Sequence, residues 1–233
     1  MRILAIFAHP DDESYGPGGT LAKYAREGHE VFLLTFTRGE AGTLGICKNM
    51  APDEKARMRR QELLCAARVL GIRDVQVLTY PDGQLNTISY AEGESVVMKE
   101  IDRVRPDTVI TFHDRGISGH PDHVVVARWC RNAVRQRDAD IRLFYFGLSP
   151  QQASRIPNRQ LFPIPPSDIT HAISVKEYLP FKIKAIHCHQ SQLELWQMLQ
   201  SVEGGYVHNA EVEYFMQVWP PPAYGAVAVD LQE

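Results

Sequence analysis

The chain has 233 residues, 44% of them hydrophobic and 23% charged, and a formal net charge of -3. That is the profile of an ordinary soluble globular protein with room for one sizeable core. The charge balance leaves no electrostatic footprint for nucleic acid, and no apolar run has membrane-spanning length or a cleavable-signal layout. The expectation is a cytoplasmic protein acting on a small molecule. Cys47, Cys65, Cys130 and Cys188 form no CxxC pair, so neither a disulfide framework nor a thiolate zinc site is expected. Cys65 and Cys130 read as small buried hydrophobes, and Cys47 sits in a Gly-rich loop with no histidine beside it in the sequence.

Six of the first seven residues are apolar, so Met1–Phe7 reads as a fully buried strand, central in a parallel sheet. The polar cluster His9-Pro10-Asp11-Asp12-Glu13 follows at its carboxyl end, then the turn Gly16-Pro-Gly-Gly19 and a helix from Thr20 stopped by Gly28. Glu30–Thr37 is a second strand. From Asp53 an amphipathic helix runs to Leu70 and is closed by Gly71. Val75–Tyr80 is the third strand and Pro81-Asp82-Gly83 a turn. A helix over Ser95–Val104, a strand over Asp107–Phe112, a polar run His113–His123, a helix over Val124–Arg137 and a strand over Ile141–Phe146 follow. Strand, polar loop and helix alternate throughout. This predicts an α/β, Rossmann-like fold with a mainly parallel sheet and helices on both faces.

From Ser149 to about Ile169 the alternation stops in a segment with five prolines, too long for an ordinary connection: a lid, an interface arm or a crossover. Ala172–Val175 reads as a strand, Lys176–Leu199 as helical despite Pro180, and Glu213–Trp219 as a late strand before the extended tail Trp219-Pro-Pro-Pro222. With no repeat and no linker, residues 1–233 are expected to form a single domain. The arm and the apolar tail make a homo-oligomer plausible.

The densest chemistry follows the first and fourth strands, which flank the switch point of a doubly wound sheet. His120-Pro-Asp-His123 repeats the style of His9-Pro-Asp-Asp12: an imidazole, a proline that fixes the turn, a carboxylate and a second potential ligand. Clustered carboxylates repel unless a cation is present. Facing each other across one crevice, the two loops would supply His9, Asp12 and His123 as a two-His, one-carboxylate set with open positions, suited to zinc and acceptable to ferrous iron. Asp11 and His120 would remain as base and acid. The competing reading is nucleotide binding, since Gly16-Pro-Gly-Gly19 stands where a dinucleotide fingerprint belongs. Leu21 occupies the final glycine position, no acid ends the second strand, and the preceding acids would repel a pyrophosphate.

Ala8-His-Pro-Asp-Asp-Glu13 together with Gly119-His-Pro-Asp-His123 resembles the paired signature of the PIG-L/LmbE-like zinc-dependent N-deacetylases. Thr37-Arg-Gly-Glu-Ala-Gly42, Arg59 with Glu62, Leu70-Gly71, Asp82-Gly83 and His189-Gln-Ser-Gln192 follow in that family's order. The resemblance implies His9, Asp12 and His123 as metal ligands and Asp11 as general base. It makes His120 the group that stabilises the oxyanion or protonates the leaving amine, and Asp122 the residue that orients a neighbouring imidazole. Arg59 and Asp82 would contact sugar hydroxyls and His189 would face the site; for Arg59 and Glu62 an i,i+3 ion pair on a helix surface is the other reading. A tyrosine that precedes the second motif in the family's thiol-glucosamine deacetylases is replaced by Ile117 and Ser118. The implied reaction is removal of an acetyl group from an N-acetylglucosamine-containing small molecule by metal-activated water. Other readings are amide hydrolysis of a glucosaminyl thiol conjugate, a Rossmann-like nucleotide-binding protein, and a metal-binding protein without turnover.

Overall fold

The strand β1 (Arg2–Phe7) is solvent-free from Ile3 to Phe7, a burial that only the centre of a sheet covered on both faces provides. The computed structural model describes residues 1–43, 49–137, 140–156, 159–201, 210–222 and 227–232. Cys47 lies outside them. The other strands are β2 (Glu30–Thr37), β3 (Asp74–Tyr80), β4 (Thr108–Phe112), β5 (Arg142–Gly147), β6 (His171–Ser174) and β7 (Val212–Trp219). They form one sheet in the order β3-β2-β1-β4-β5-β7-β6. The first five are parallel, with Ala5 beside Leu33 on one side and Ile110 on the other, and β7 runs antiparallel to both β5 and β6. The mainly parallel sheet with helices on both faces is the arrangement read from the sequence.

The helices are α1 (Asp12–Tyr15), α2 (Gly18–Arg26), α3 (Pro52–Leu70), α4 (Tyr90–Val104), the single turn α5 (Gly116–Gly119), α6 (Pro121–Arg137), α7 (Pro150–Ser154), α8 (Leu179–Cys188) and α9 (Leu193–Gln200). Helices α2, α3 and α8 pack together as one group and α4 and α6 as another. Trp129 of α6 lies flat on α4 at Gly93, where a Cβ would fall 2.1 Å from the indole. Helix α4 begins five residues earlier than the sequence reading, because Ser89 caps it: its Oγ accepts from Glu92 N at 3.2 Å.

The helical pattern over Lys176–Leu199 is not one helix. Pro180 sits in the first turn of α8, where its missing N–H costs nothing, and the break falls instead at His189. Cys188, at the end of α8, is disulfide-bonded to Cys65 of α3 across 123 residues of sequence. This corrects the expectation of free cysteines: the two thiols are remote in the chain and become neighbours only because α3 and α8 pack side by side. Cys130 is free and buried, as expected.

The Pro-rich segment carries the chain from β5 past β7 to the outer strand β6. It opens with α7, capped by Ser149 and Gln152, and is stitched to the core by Phe162 N donating to Ile117 O and Ile164 N to Leu148 O, at 2.7 and 2.9 Å. The tail returns to α2, where Leu231 is buried and its N–H donates to Tyr24 Oη at 2.7 Å.

Candidate metal and catalytic site

The order of strands reverses between β1 and β4, and the loops leaving β1, β2, β3, β4 and β5 converge there on a cleft of about 530 Å³. Its floor is polar. His9 Nδ1 lies 3.1 Å from His123 Nε2 and 3.4 Å from Asp12 Oδ2, and Asp12 Oδ1 lies 3.3 Å from His123 Nε2. The ring of His120 is centred 4.8 Å from His9 and 4.9 Å from His123. The ring nitrogens of these three histidines gather close enough to share one ion. All six residues expected as ligands, acid, base and orienting carboxylate therefore meet at one place.

The surrounding hydrogen bonds fix which nitrogen of each ring carries its proton. His9 Nε2 stands 3.1 Å from Asp122 Oδ2 and 3.1 Å from Asp82 Oδ1, so with a cation at the cluster a proton would stay on Nε2 and Nδ1 would face the ion. His123 Nδ1 donates to Gly116 O at 3.1 Å while its ring stacks on Phe112 at 3.9 Å, leaving Nε2 free to face the same point. His120 differs: its Nδ1 accepts from Asp122 N at 3.2 Å, which puts the proton on Nε2 and makes that nitrogen a donor. Asp122 is fully buried and also accepts from Gly83 N and Leu85 N, at 2.8 and 2.9 Å. Asp82 accepts from Ala41 N at 2.8 Å through its other oxygen.

Burial works against charge on His9, but the carboxylates of Asp12, Asp122 and Asp82 outweigh it and hold its pKa well above the ordinary value. Asp12 is driven the other way: burial would raise it, and His123 and His9 hold it far below the usual carboxylate range. For His120, burial and the neighbouring His123 and His9 charges lower the pKa. Without a cation the carboxylates keep an extra proton on His9. A divalent ion held by His9 Nδ1, His123 Nε2 and Asp12 would replace that charge, and two imidazoles with a carboxylate are a donor set that suits one. The residues fit a metal.

Asp11 stands apart from that set. Its backbone is left-handed, with φ 113°, a strained conformation for a residue with a Cβ. Two contacts hold it there. Its N–H donates to Glu13 Oε2 at 3.0 Å, and Arg59 Nη2 donates to its carboxylate at 3.2 Å and to the carbonyl of Pro10. Burial raises the Asp11 carboxyl to about 6, against the pull of Arg59 and with the help of Asp12. Arg59 reaches across Gly39, whose φ is +72° and where a Cβ would lie 2.5 Å from the guanidinium; Gly39 O accepts from Nη1 at 2.9 Å.

Of the three residues expected as substrate contacts, Arg59 and Asp82 line the cleft and His189 does not. Arg59 is largely buried and lines the cleft; its Nη1 and Nη2 donate to Gly39, Pro10 and Asp11, and among the described residues its Nε has no partner and it makes no helix-surface pair with Glu62. Asp82 lines the cleft but is engaged by His9. His189 does not reach the cleft. It is fully buried, and its Nε2 meets Glu13 Oε1 at 2.7 Å, so it supports the carboxylate that holds Asp11. Glu62 accepts from Ser191 N at 2.8 Å and fastens the same His189–Gln192 turn. Glu13 and Glu62 were unassigned by sequence reasoning, although Glu13 stands inside the acid cluster.

The nucleotide reading fails here on geometry. The first N–H groups of α2, where a pyrophosphate would sit, are taken by Glu213: Gly19 N and Thr20 N donate to its carboxylate at 2.9 and 2.7 Å. Lys182 pairs with the same carboxylate and closes the space.

Comparison with known proteins agrees with this architecture. The N,N'-diacetylchitobiose deacetylase of Pyrococcus horikoshii superposes with a TM-score of 0.66 at 24% identity over 93% of this chain and 83% of its own. A 4-carboxy-2-hydroxymuconate hydratase of Pseudomonas putida superposes with 0.72 at 18% identity over 97% and 99%. At such identities the likeness is one of fold. In sequence, the 1D-myo-inositol 2-acetamido-2-deoxy-alpha-D-glucopyranoside deacetylase of Acidothermus cellulolyticus is 30% identical over 82% of this chain and 79% of its own. The family described as PIG-L, GlcNAc-PI de-N-acetylase, matches residues 4–134, from β1 through both signature loops into α6. On that match and on the loops it covers, the chain belongs to the PIG-L family.

Proposed function

We propose that the protein is a metal-dependent N-deacetylase that hydrolyses the acetamide of an N-acetylglucosamine-containing small molecule. The observation that carries the reading is the division of labour in the cleft: His9, His123 and Asp12 aim ligand atoms at one point, while Asp11, beside them, is a carboxyl raised to about 6. The amino-sugar part rests on the family and on the relative named above. A fold shared with a hydratase does not choose the reaction; the site and the family do.

His9, His123 and Asp12 would hold the cation, zinc or ferrous iron by donor chemistry. When bound, it supplies Lewis acidity for the acetyl carbonyl and for water. The remaining steps belong to the chain. Asp11 accepts a proton from the attacking water and, as an acid of pKa about 6, returns it to the departing nitrogen. The Nε2–H of His120 faces the carbonyl oxygen as charge develops there, a contribution of roughly 3–4 kcal/mol for one well-placed donor. Asp122 holds the His9 tautomer, and Arg59 with Glu13 keeps Asp11 in its strained setting. The amide C–N bond breaks, water adds across it, and acetate and a free amine result.

The test is amine release from N-acetylglucosamine and a panel of its conjugates, thiol-bearing ones included, by metal-loaded protein and by Asp11→Asn. Amine that appears with wild type and drops by a factor of about 10²–10⁴ in the variant supports the assignment. Equal turnover by the variant removes Asp11 as base, and no amine from any conjugate by metal-loaded wild type removes the deacetylase reading.

A further inference from the structure

The cleft is larger than its polar floor and changes character along its length. Beyond His120 and Asp11 its walls are mostly Phe146, Leu148, Ile156, Leu161, Leu195 and Leu199, drawn from the end of β5, the Pro-rich segment and α9, with Tyr15, Arg159 and Gln192 among them. Phe146, Leu148, Ile156 and Leu199 also wall a second, small cavity of about 30 Å³ that they share with Ala210, Val212 and the polar Tyr15, Gln152, Lys182 and Glu213 and that touches none of the ion-cluster residues. The apolar half therefore points away from the reacting centre, toward the far end of the sheet. Of the residues that the Pro-rich segment gives to this wall, Ile156 and Leu161 are apolar and Arg159 is the one charged side chain. Ile117 adds another aliphatic group beside His120 and His123.

We infer that the group attached to the amino sugar in the preferred substrate is apolar, an alkyl or aryl substituent that lies along this half while the acetamide reaches the floor. The inference rests on the deacetylase reading for its orientation. A polyol such as inositol has hydroxyls at every carbon, and those laid against the phenylalanine, isoleucine and leucine side chains that make up most of this wall would be left without partners, a loss that buried polar groups do not recover. An apolar group loses nothing there and gains by area. A cleft of about 530 Å³ lies within the roughly 300–1,000 Å³ of sites that enclose ligands of drug size.

The experiment is a series: N-acetylglucosamine and its methyl, butyl and hexyl glycosides in both anomers, together with the inositol conjugate. Deacetylation by metal-loaded wild type is compared with that by Leu195→Asp and Leu161→Asp, both at half-buried positions that tolerate a polar side chain. Transfer of one methylene into an apolar pocket is worth about fourfold, so kcat/KM should climb about fourfold per added carbon until the cavity is filled. The hexyl-to-free-sugar ratio should collapse in the Asp variants. Calorimetric binding of the same glycosides to Asp11→Asn protein gives the chain-length dependence without turnover. A flat series in both measurements, a preference for the inositol conjugate, or a hexyl ratio unmoved by Leu195→Asp overturns the apolar assignment. Absent turnover with a steep binding series overturns the deacetylase reading and leaves this one standing.

Discussion

Replacing Asp11 with glycine should make the protein more stable and inactive. Asp11 adopts φ 113°, ψ -27°, which costs a residue with a Cβ on the order of 1–3 kcal/mol and glycine almost nothing. Its carboxyl is lifted by burial to about 6. Against an unfolded value near 4, that costs about 3 kcal/mol at neutral pH. Glycine adds about 1 kcal/mol of chain entropy to the unfolded state, and the lost hydrogen bond from Arg59, which keeps the Pro10 carbonyl, removes about 1 more. The balance is a gain of about 2–4 kcal/mol for Asp11→Gly at pH 7. A carboxyl whose folded pKa is raised destabilises fully above that pKa and not at all below the unfolded one. The gain should therefore shrink toward zero as pH falls from about 6 to about 4. Urea unfolding at pH 4, 5, 6 and 7, with chelator in every sample so that metal linkage does not contribute, reads this directly. A variant less stable than wild type at pH 7, or a gain that ignores pH, would refute the account of Asp11 as a strained, buried base.

The supporting residues give sharper contrasts. Burial lowers the His189 pKa and Glu13 more than restores it, so the pair stabilises fully below about pH 6.5 and is lost as pH rises through the raised value. Glu13→Gln should cost about 1–3 kcal/mol below pH 6.5 and less at pH 8, by urea midpoints; a pH-independent cost would mean the pair is not ionic. Asp122→Asn cannot hold the His9 proton and both backbone donors at once. Its metal affinity, measured by competition with a chromogenic chelator, should fall about 10–100-fold, and an unchanged affinity would dismiss Asp122 as the orienting group. Thiol titration of the denatured chain without reductant should find two reactive thiols where the sequence holds four cysteines; four would disprove the Cys65–Cys188 bond.

The sheet was legible because its strands are buried on both faces and so spell themselves as apolar runs. Thr108–Phe112 and Ile3–Phe7 need no alternation to be seen, and the polar loops between strand and helix declare the winding. What was not legible came from packing at a distance. Lys176–Leu199 reads as one helix despite Pro180; the chain breaks nine residues after that proline, where His189 and Ser191 turn to meet Glu13 and Glu62 on other elements. Nothing local to that turn announces it. Cys65 and Cys188 are separated by 123 residues, and only the docking of α8 on α3 brings their sulfurs together.

The site divides along the same line. The groups that face the cleft stand within two short stretches, His9–Asp12 and His120–His123, and proline-fixed turns after two adjacent strands suffice to bring them face to face. The groups that hold them in place come from everywhere else: Arg59 from α3, Asp82 from the loop after β3, and His189 from the turn after α8. A charged residue in a sequence gives no sign of whether it will be spent on a ligand or on a neighbour. Arg59 stands mid-way along α3 and Asp82 and His189 in turns, and nothing local marks any of them as a support or as a substrate contact. Burial decides between the two uses. Arg59 gives Nη1 and Nη2 to two carbonyls and a carboxylate while it also lines the cleft, whereas His189, without solvent contact, is not among the groups that line it. The contacts they make lead to Asp11 and His9. Substitutions there should therefore move the pH profile and the metal affinity before they move the affinity for the sugar.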